Sequence, residues 1–375
     1  MIVSASLTER CNLRCDYCYA PVGHGPDMTE ETLVRIVDWA VEATPSGDTL
    51  ELGFFGGEPF LRKDLMRTGA MRAKRAAART STPLRLRVTT NGTLLTDAAL
   101  DVIDEHGIDL CVSIDGPPAE HDKHRRFANG RGSSAVVAAN LQRAIARLGR
   151  AQVNVVYGPD TVRSLPDTVR YLMELGVRLI HLNPNICTTW PAATHAWLRE
   201  AYGEIGQIVV TSFERGDPVA VNLIDNKIIL FLKDGYGPED RCGMGETKVG
   251  FAPNGDMYPC ERLIGAKADA RLCIGNARSG PDRARVASVR TRAGNRNPDC
   301  GTCPVRRFCM NWCGCTNYHL TGETDVAAPV LCASEQAAIA TAHTAMVKLV
   351  QNDHFIEHLE AYVLEAQHPP RGGRS

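Results

Sequence analysis

From residue 1 to about residue 215 the chain alternates short apolar runs with longer amphipathic ones. The apolar runs fall at Ile2 to Ser6, Leu50 to Phe55, Leu84 to Thr89, Leu110 to Ile114, Gln152 to Tyr157 and Arg178 to Asn183. They are short and rich in Val, Ile and Leu, as strands buried on both faces are. Between them the period lengthens to that of a helix. Leu33, Ile36, Val37 and Val41 form a stripe behind Thr29, a helix-capping residue type, and Glu30 and Glu31 sit in the first turn, where the dipole favours anions. Leu100 and Ile103 follow Thr96 and stop at Gly107, Val137, Leu141, Ile145 and Leu148 form a further stripe, and Leu165, Val169, Leu172 and Leu175 end at Gly176. This predicts six βα units, too few to close an eight-stranded barrel. The fold class is α/β: an open, partial (β/α)6 barrel with its chemistry on the loops after the strand C-termini.

A helical stretch from about Thr194 to Phe213 and a less regular one to Arg241 lead into a segment rich in Gly, Pro, Arg and Cys. A last helix is predicted from Ser334 to about Ala366, followed by a disordered Pro/Gly/Arg tail. Three units are expected: 1–235, 236–335 and 336–375. The net charge of -1 carries no basic excess of the kind nucleic-acid binding asks for. No apolar run reaches the roughly 18 residues of a membrane span, and Met1 to Arg10 lacks the form of a signal peptide, so a cytoplasmic protein is expected. In that reducing compartment the 14 cysteines point to metal or redox chemistry. Three lie between Cys11 and Cys18, nine between Cys242 and Cys332, and only Cys111 and Cys187 in the long stretch between.

Cys11-x3-Cys15-x2-Cys18 directly follows the first predicted strand, which hangs three thiolates from one loop. Three ligands leave a four-iron cluster one short, an open position like the one catalytic metals keep for a reactant. Structural zinc prefers paired Cys-x2-Cys knuckles, and no second knuckle is near. Gly56-Gly57-Glu58-Pro59 closes the second strand, Thr90-Asn91-Gly92 the third and Ser113-Ile114-Asp115-Gly116 the fourth. The small residues let a ligand approach the backbone, and Glu58 can accept from a cation. Taken alone, a Gly-Gly turn is also an ordinary structural feature. Asn154 on the fifth strand is a polar candidate that could equally cap backbone groups.

This series, with Tyr17 before the third cysteine, resembles the radical SAM superfamily. The resemblance implies that an iron held by Cys11, Cys15 and Cys18 binds S-adenosylmethionine (SAM), which reduction cleaves to a 5'-deoxyadenosyl radical. It further assigns Gly56, Gly57 and Glu58 to the methionine ammonium group, and Asn91, Ser113 and Asp115, with Asn154, to the ribose and carboxylate region. Either Arg125 or Arg126 would hold the methionine carboxylate. Cys242-x12-Gly255-x4-Cys260, Cys300-x2-Cys303-x5-Cys309-x3-Cys313 and Cys332 resemble the seven-cysteine SPASM domain, so the likeness spans roughly residues 2 to 335.

Three 4Fe-4S clusters are thereby implied. Cys300, Cys303, Cys309 and Cys332 would ligate the one farther from the barrel, and Cys242, Cys260 and Cys313 the nearer one. Some relatives supply a further thiol just after the first cysteine, whereas Gly-Met-Gly-Glu-Thr-Lys-Val follows Cys242. The nearer cluster is therefore expected to keep an open iron, the alternative being completion by Cys273 or Cys315. Glu261 stands where sulfatase-maturing relatives carry an acid that acts as base, and its plain reading is a solvated turn acid. Cys187 is either a loop thiol or a hydrogen donor for epimerisation, and Cys111 a small core residue.

A run of Arg67, Arg72, Lys74, Arg75, Arg79, Arg85 and Arg87 reads as a solvated helix face or as a dock for a flavodoxin- or ferredoxin-type electron donor. The function implied by the resemblance is oxidation or crosslinking of a peptide or protein side chain. Sulfatase maturation, peptide epimerisation and dehydrogenation of a sugar or aminocyclitol are the alternatives. With the first strand at residue 2, no N-terminal peptide-recognition domain is expected.

Overall fold

The computed structural model describes residues 1–20, 25–237, 240, 242–265, 270–291, 296–310, 313–353 and 355–358. Six parallel strands run side by side in chain order: β1 (Ile2–Ser6), β2 (Leu50–Phe55), β3 (Leu84–Thr90), β4 (Ile108–Ser113), β5 (Gln152–Tyr157) and β6 (Leu179–Pro184). A short seventh, β7 (Ala220–Val221), extends the row beyond β6. The crossovers are α1 (Glu30–Ala43), α2 (Lys63–Thr80), α3 (Asp97–His106), α4 (Pro118–His124) with α5 (Ser134–Leu148), and α6 (Leu165–Glu174). The caps do what their residue types suggest: Thr29 Oγ1 accepts from Thr32 N–H at 3.1 Å, and Gly107 closes α3 with a φ of 59°.

Alternation along the strands sorts their side chains. Leu50, Leu52 and Phe54 of β2 are buried in one cluster with Leu33, Ile36 and Val37 of α1. The intervening positions include charged residues. Arg87 on β3 pairs with Glu51 on β2, and Arg85 pairs with Asp109 on β4 at 3.1 Å. The strands' other face lines the concave side of the open barrel and carries charge wherever two residues can neutralise each other.

The cysteine-rich segment does not stand apart from this sheet. Its β8 (Lys248–Phe251) pairs in parallel with β1, and β9 (Asp256–Tyr258), β10 (Gly275–Asn276) and β11 (Gly280–Pro281) follow as antiparallel strands, making one sheet of 11 strands among the described residues. The sheet therefore runs across the division expected at residue 235. After α7 (Thr194–Glu214) and α8 (Asn222–Leu232) come α9 (Arg283–Thr291), α10 (Gly314–Thr321) and α11 (Pro329–Leu349). The last of these begins ahead of the expected Ser334 and takes Cys332 into its first turn. It packs along α7 and α8, with Tyr202 and Ser334 hydroxyls 2.8 Å apart. It ends at Leu349, short of the expected Ala366, and the tail falls outside the described residues beyond 358. Among the described residues no helix is long and apolar enough to cross a membrane.

Candidate active site

The loop after β1 carries Cys11, Cys15 and Cys18 and is fixed on two sides. On one, Gly57 N–H donates to Thr8 O at 2.8 Å and Glu58 N–H to Arg10 O at 2.9 Å. A side chain at Gly56 or Gly57 would collide with those same carbonyls, and Gly56 has a φ of 129°. The glycine pair thus admits the backbone of the cysteine loop itself, a closer neighbour than the ligand expected from sequence. On the other side, Arg14 N–H donates to Arg126 O at 2.7 Å and Leu13 bridges to Phe127.

The three thiols lie close enough to act on one another: Cys11 and Cys18 each lie within charge range of a fellow thiol, and Cys15 within range of Cys11. Burial pushes all three above the ordinary thiol value. Leu13 N–H and Asn91 Nδ2 donate to Cys11 Sγ at 3.4 and 3.7 Å, the bonds a cluster-bound thiolate receives. Among the described residues no three His, Cys, Asp or Glu groups converge as one metal ion would require.

Glu58 is fully buried, and both its oxygens are taken. It accepts from Phe60 N–H at 3.0 Å, Thr90 Oγ1 at 2.8 Å and Asn91 N–H at 2.8 Å. Burial pushes its carboxyl up to about 7 against the pull of those donors. The side chain therefore braces the ends of β2 and β3 and presents Asn91.

Asp115 anchors a second network. It accepts from Arg125 Nε at 2.8 Å, from the Tyr17 hydroxyl and from Val156 N–H at 2.9 Å. Arg125 lies 5.3 Å from the Tyr17 ring centre and is within charge range of Cys15. His121 Nδ1 accepts from Asp115 N–H at 3.2 Å, and its Nε2 meets Ser133 Oγ at 2.9 Å. The two arginines part here: Arg125 is buried and within charge range of Cys15, whereas Arg126 is exposed and bonds Asp122 O at 2.6 Å. Ser113, the last residue of β4, is the register partner of Asn154 within β5. His124 is clamped between Asp16 of the cysteine loop and Asp160 beyond β5, both at 2.9 Å.

Cys313 Sγ lies 3.6 Å from Cys315 Sγ, Cys315 is in hydrogen-bond contact with Cys260, and Cys242 is within charge range of Cys313. Cys273 Sγ donates to Gly275 O at 3.5 Å. Cys309 is held by its neighbours: Lys227 Nζ donates to Phe308 O at 2.9 Å and Met310 N–H donates to Glu335 Oε2 at 2.5 Å. Glu335 stands one turn after Cys332 on α11, so that network brings Cys309 and Cys332 to one place. Asn297 exchanges two bonds with Ala327 and lays the Cys300 segment beside the start of α11.

Glu261 is not a solvated turn acid. It pairs with Lys248 at 3.2 Å and accepts from Cys260 Sγ at 3.4 Å. Burial alone would raise its carboxyl, but Lys248 and Arg262 outweigh that and hold it down at about 2. A carboxylate held so low is a weak proton acceptor at neutral pH.

Cys187, on the loop after β6, comes within charge range of Cys18, while Cys111 is buried on β4 with its thiol pushed up to about 12 by burial. The basic run is largely neutralised: Arg67 meets Glu105, Arg72 meets Asp38, and Arg85 and Arg87 pair on the concave face.

Sequence reasoning passed over Tyr19, Lys248, Arg262 and His319. The Tyr19 ring packs 5.6 Å from that of His319, whose Nε2 meets Arg262 O at 2.6 Å, so the residue after Cys18 reaches the residues after Cys260. Adjacency to the cysteines was the signal that could have marked Tyr19 and Arg262.

Against known proteins, the model of the Radical SAM superfamily matches residues 5–183. The chain is 27% identical over 338 residues to the serine-type anaerobic sulfatase-maturating enzyme of Klebsiella aerogenes, covering 83% of this chain and 79% of that protein. It is 25% identical over 361 residues to the PqqA peptide cyclase of Granulibacter bethesdensis, covering 92% and 89%. Its fold superposes on the solved structure of native anSMEcpe with bound AdoMet and Cp18Cys peptide with a TM-score of 0.73, at 16% identity, over 96% of this chain and 99% of that one.

Proposed function

Because the chain belongs to the radical SAM superfamily, we propose that it makes a 5'-deoxyadenosyl radical from SAM to oxidise or crosslink a side chain of a ribosomal peptide. The observation that carries this reading is the meeting of the two cysteine districts: the Tyr19 ring, next to Cys18, packs 5.6 Å from His319, whose Nε2 meets Arg262 O at 2.6 Å, and Gly56, Gly57 and Glu261 line one small cavity. The names of the relatives support a peptide substrate, one being a cyclase of a peptide and one a maturase of a protein.

Cys11, Cys15 and Cys18 would hold the SAM-binding cluster, Cys242, Cys260 and Cys313 the nearer auxiliary cluster, and Cys300, Cys303, Cys309 and Cys332 the farther one. When bound, the first group would supply the electron that cleaves the SAM sulfonium, and the auxiliary groups would take up the electron released as the substrate radical is oxidised. The protein's part is orientation. Asp115 fixes Arg125 and Tyr17 against the cysteine loop, Glu58 presents Asn91, and Ser113 at the end of β4 is in register with Asn154 of β5. With its charge committed to Lys248, Glu261 shapes the field of the cavity instead of taking a proton. A flavodoxin- or ferredoxin-type protein would provide the electron.

A second reading, epimerisation, draws on Cys187 near Cys18, a thiol placed to return a hydrogen atom. Coexpression with a candidate precursor peptide, sought among short reading frames beside the gene, decides by mass. Loss of two hydrogens supports oxidation or crosslinking, and unchanged mass with deuterium uptake, abolished by Cys187→Ala, supports epimerisation. A peptide left unmodified and unlabelled would sink both.

A further inference from the structure

The seven-cysteine pattern gives the nearer group three thiols and leaves a fourth position open. The structure brings a further thiol into that group. Cys315 opens α10, is 4% exposed, and sits 3.6 Å from Cys313 and in hydrogen-bond contact with Cys260. Cys242 lies within charge range of Cys313, which makes Cys315 a fourth thiol for this group, and four cysteines complete a four-iron cluster.

The charges around these thiols are unequal. Lys248, on the strand that joins β1, lies 3.2 Å from Glu261, whose other oxygen meets Cys260 Sγ at 3.4 Å. Arg262 Nη1 reaches Thr316 Oγ1 at 3.5 Å, and Thr316 Oγ1 is 3.3 Å from Cys313 Sγ. Lys248 is within charge range of Cys242, Cys260 and Cys315, and Arg262 of Cys260, Cys313 and Cys315. Two cations and one carboxylate therefore face one thiol group.

We propose that Cys315 is the fourth ligand of the nearer auxiliary cluster, closing it to outside ligands and to substrate, and that Lys248 and Arg262 raise its reduction potential while Glu261 lowers it. Reduction adds negative charge, so a neighbouring cation favours the reduced form and a carboxylate disfavours it. Closure contradicts the open iron expected from the sequence spacing. The inference rests on the cluster reading above.

Both parts can be tested on the full-length, iron-loaded protein by electron paramagnetic resonance, with saturating SAM occupying the open iron of the N-terminal cluster. Added cyanide should leave the nearer cluster's signal unchanged in the wild type. In Cys315→Ala that signal should shift with cyanide, or about four irons per chain should be lost. A wild-type nearer cluster that binds cyanide, or a Cys315→Ala protein that matches wild type in iron and in cyanide response, overturns closure.

Redox titration reads the charges. Lys248→Met and Arg262→Met should lower the nearer cluster's midpoint potential, Arg262→Lys should restore it, Glu261→Gln should raise it, and the farther cluster should not move. A purely structural role predicts no such opposition of signs, so equal or absent shifts overturn the tuning. The wild-type cyanide test stands even if a variant fails to fold. Wild-type iron sufficient for one cluster only would overturn the cluster reading itself.

Discussion

At the scale of single residues, the N-terminal triad is surrounded by side chains whose work is to hold other side chains. Glu58 is the clearest case, because its three donors come from both flanking strand ends. Glu58→Ala would leave the Asn91 and Phe60 N–H groups buried without partners, a cost of about 2–3 kcal/mol in denaturant unfolding, with weaker SAM binding in a titration. The acid also carries a pH signature. Burial lifts its pKa from 4.5 to about 7, so the native state holds this proton more tightly than the unfolded chain does. The contribution is full below about 4.5 and is lost as pH rises through about 7. The stability of wild type relative to Glu58→Gln should therefore fall by on the order of 2–3 kcal/mol across that window; a flat difference would show the carboxyl to be ionised throughout.

Much at this scale was legible. The positions of Cys11, Cys15, Cys18, Glu58 and Asp115 follow from motif and strand end alone. The partners were not. Which of Arg125 and Arg126 turns inward depends on a salt bridge to Asp115, and the state of Glu261 depends on Lys248 across a strand pairing.

At the scale of elements, the cysteine-rich loops owe their positions to helices from elsewhere in the chain. Lys227 of α8 and Glu335 of α11 form a buried pair at 2.7 Å whose remaining bonds grip the backbone on both sides of Cys309. Removing one partner strands the other charge in the interior. Lys227→Met is expected to cost about 3–5 kcal/mol and to deplete iron held by Cys309 and Cys332, whereas the paired change Lys227→Met with Glu335→Gln should recover part of that loss. Unfolding curves and iron content of the three variants check this. Helix periodicity indicated α11 but not its start, because the apolar face that packs on α7 and α8 extends back through Val330 and Leu331.

At the scale of the whole molecule, the barrel and the cysteine-rich segment share one sheet. β8 covers the edge that β1 would otherwise expose, and α11 covers α7 and α8. An unpaired edge strand and an uncovered apolar face are recipes for association. A fragment of residues 1–235 should accordingly be aggregated or non-cooperative in unfolding, while the full chain melts as one unit. A soluble, cooperatively folding fragment would show that the sheet joins two independent domains.

By itself the sequence determined what depends on local pattern: the six βα units, the caps at Thr29 and Thr96, and the ligand-bearing loops at the strand ends. Hydrophobic period and cysteine spacing are properties of neighbouring residues, so they can be read without coordinates. Only the tertiary structure decided what depends on residues far apart in the chain meeting. It folded Cys315 onto Cys260, set Lys248 against Glu261, neutralised the arginines of β3 and ran β8 alongside β1. Electrostatic pairing and ligand completion are set by distance in space, and no spacing along the chain encodes them.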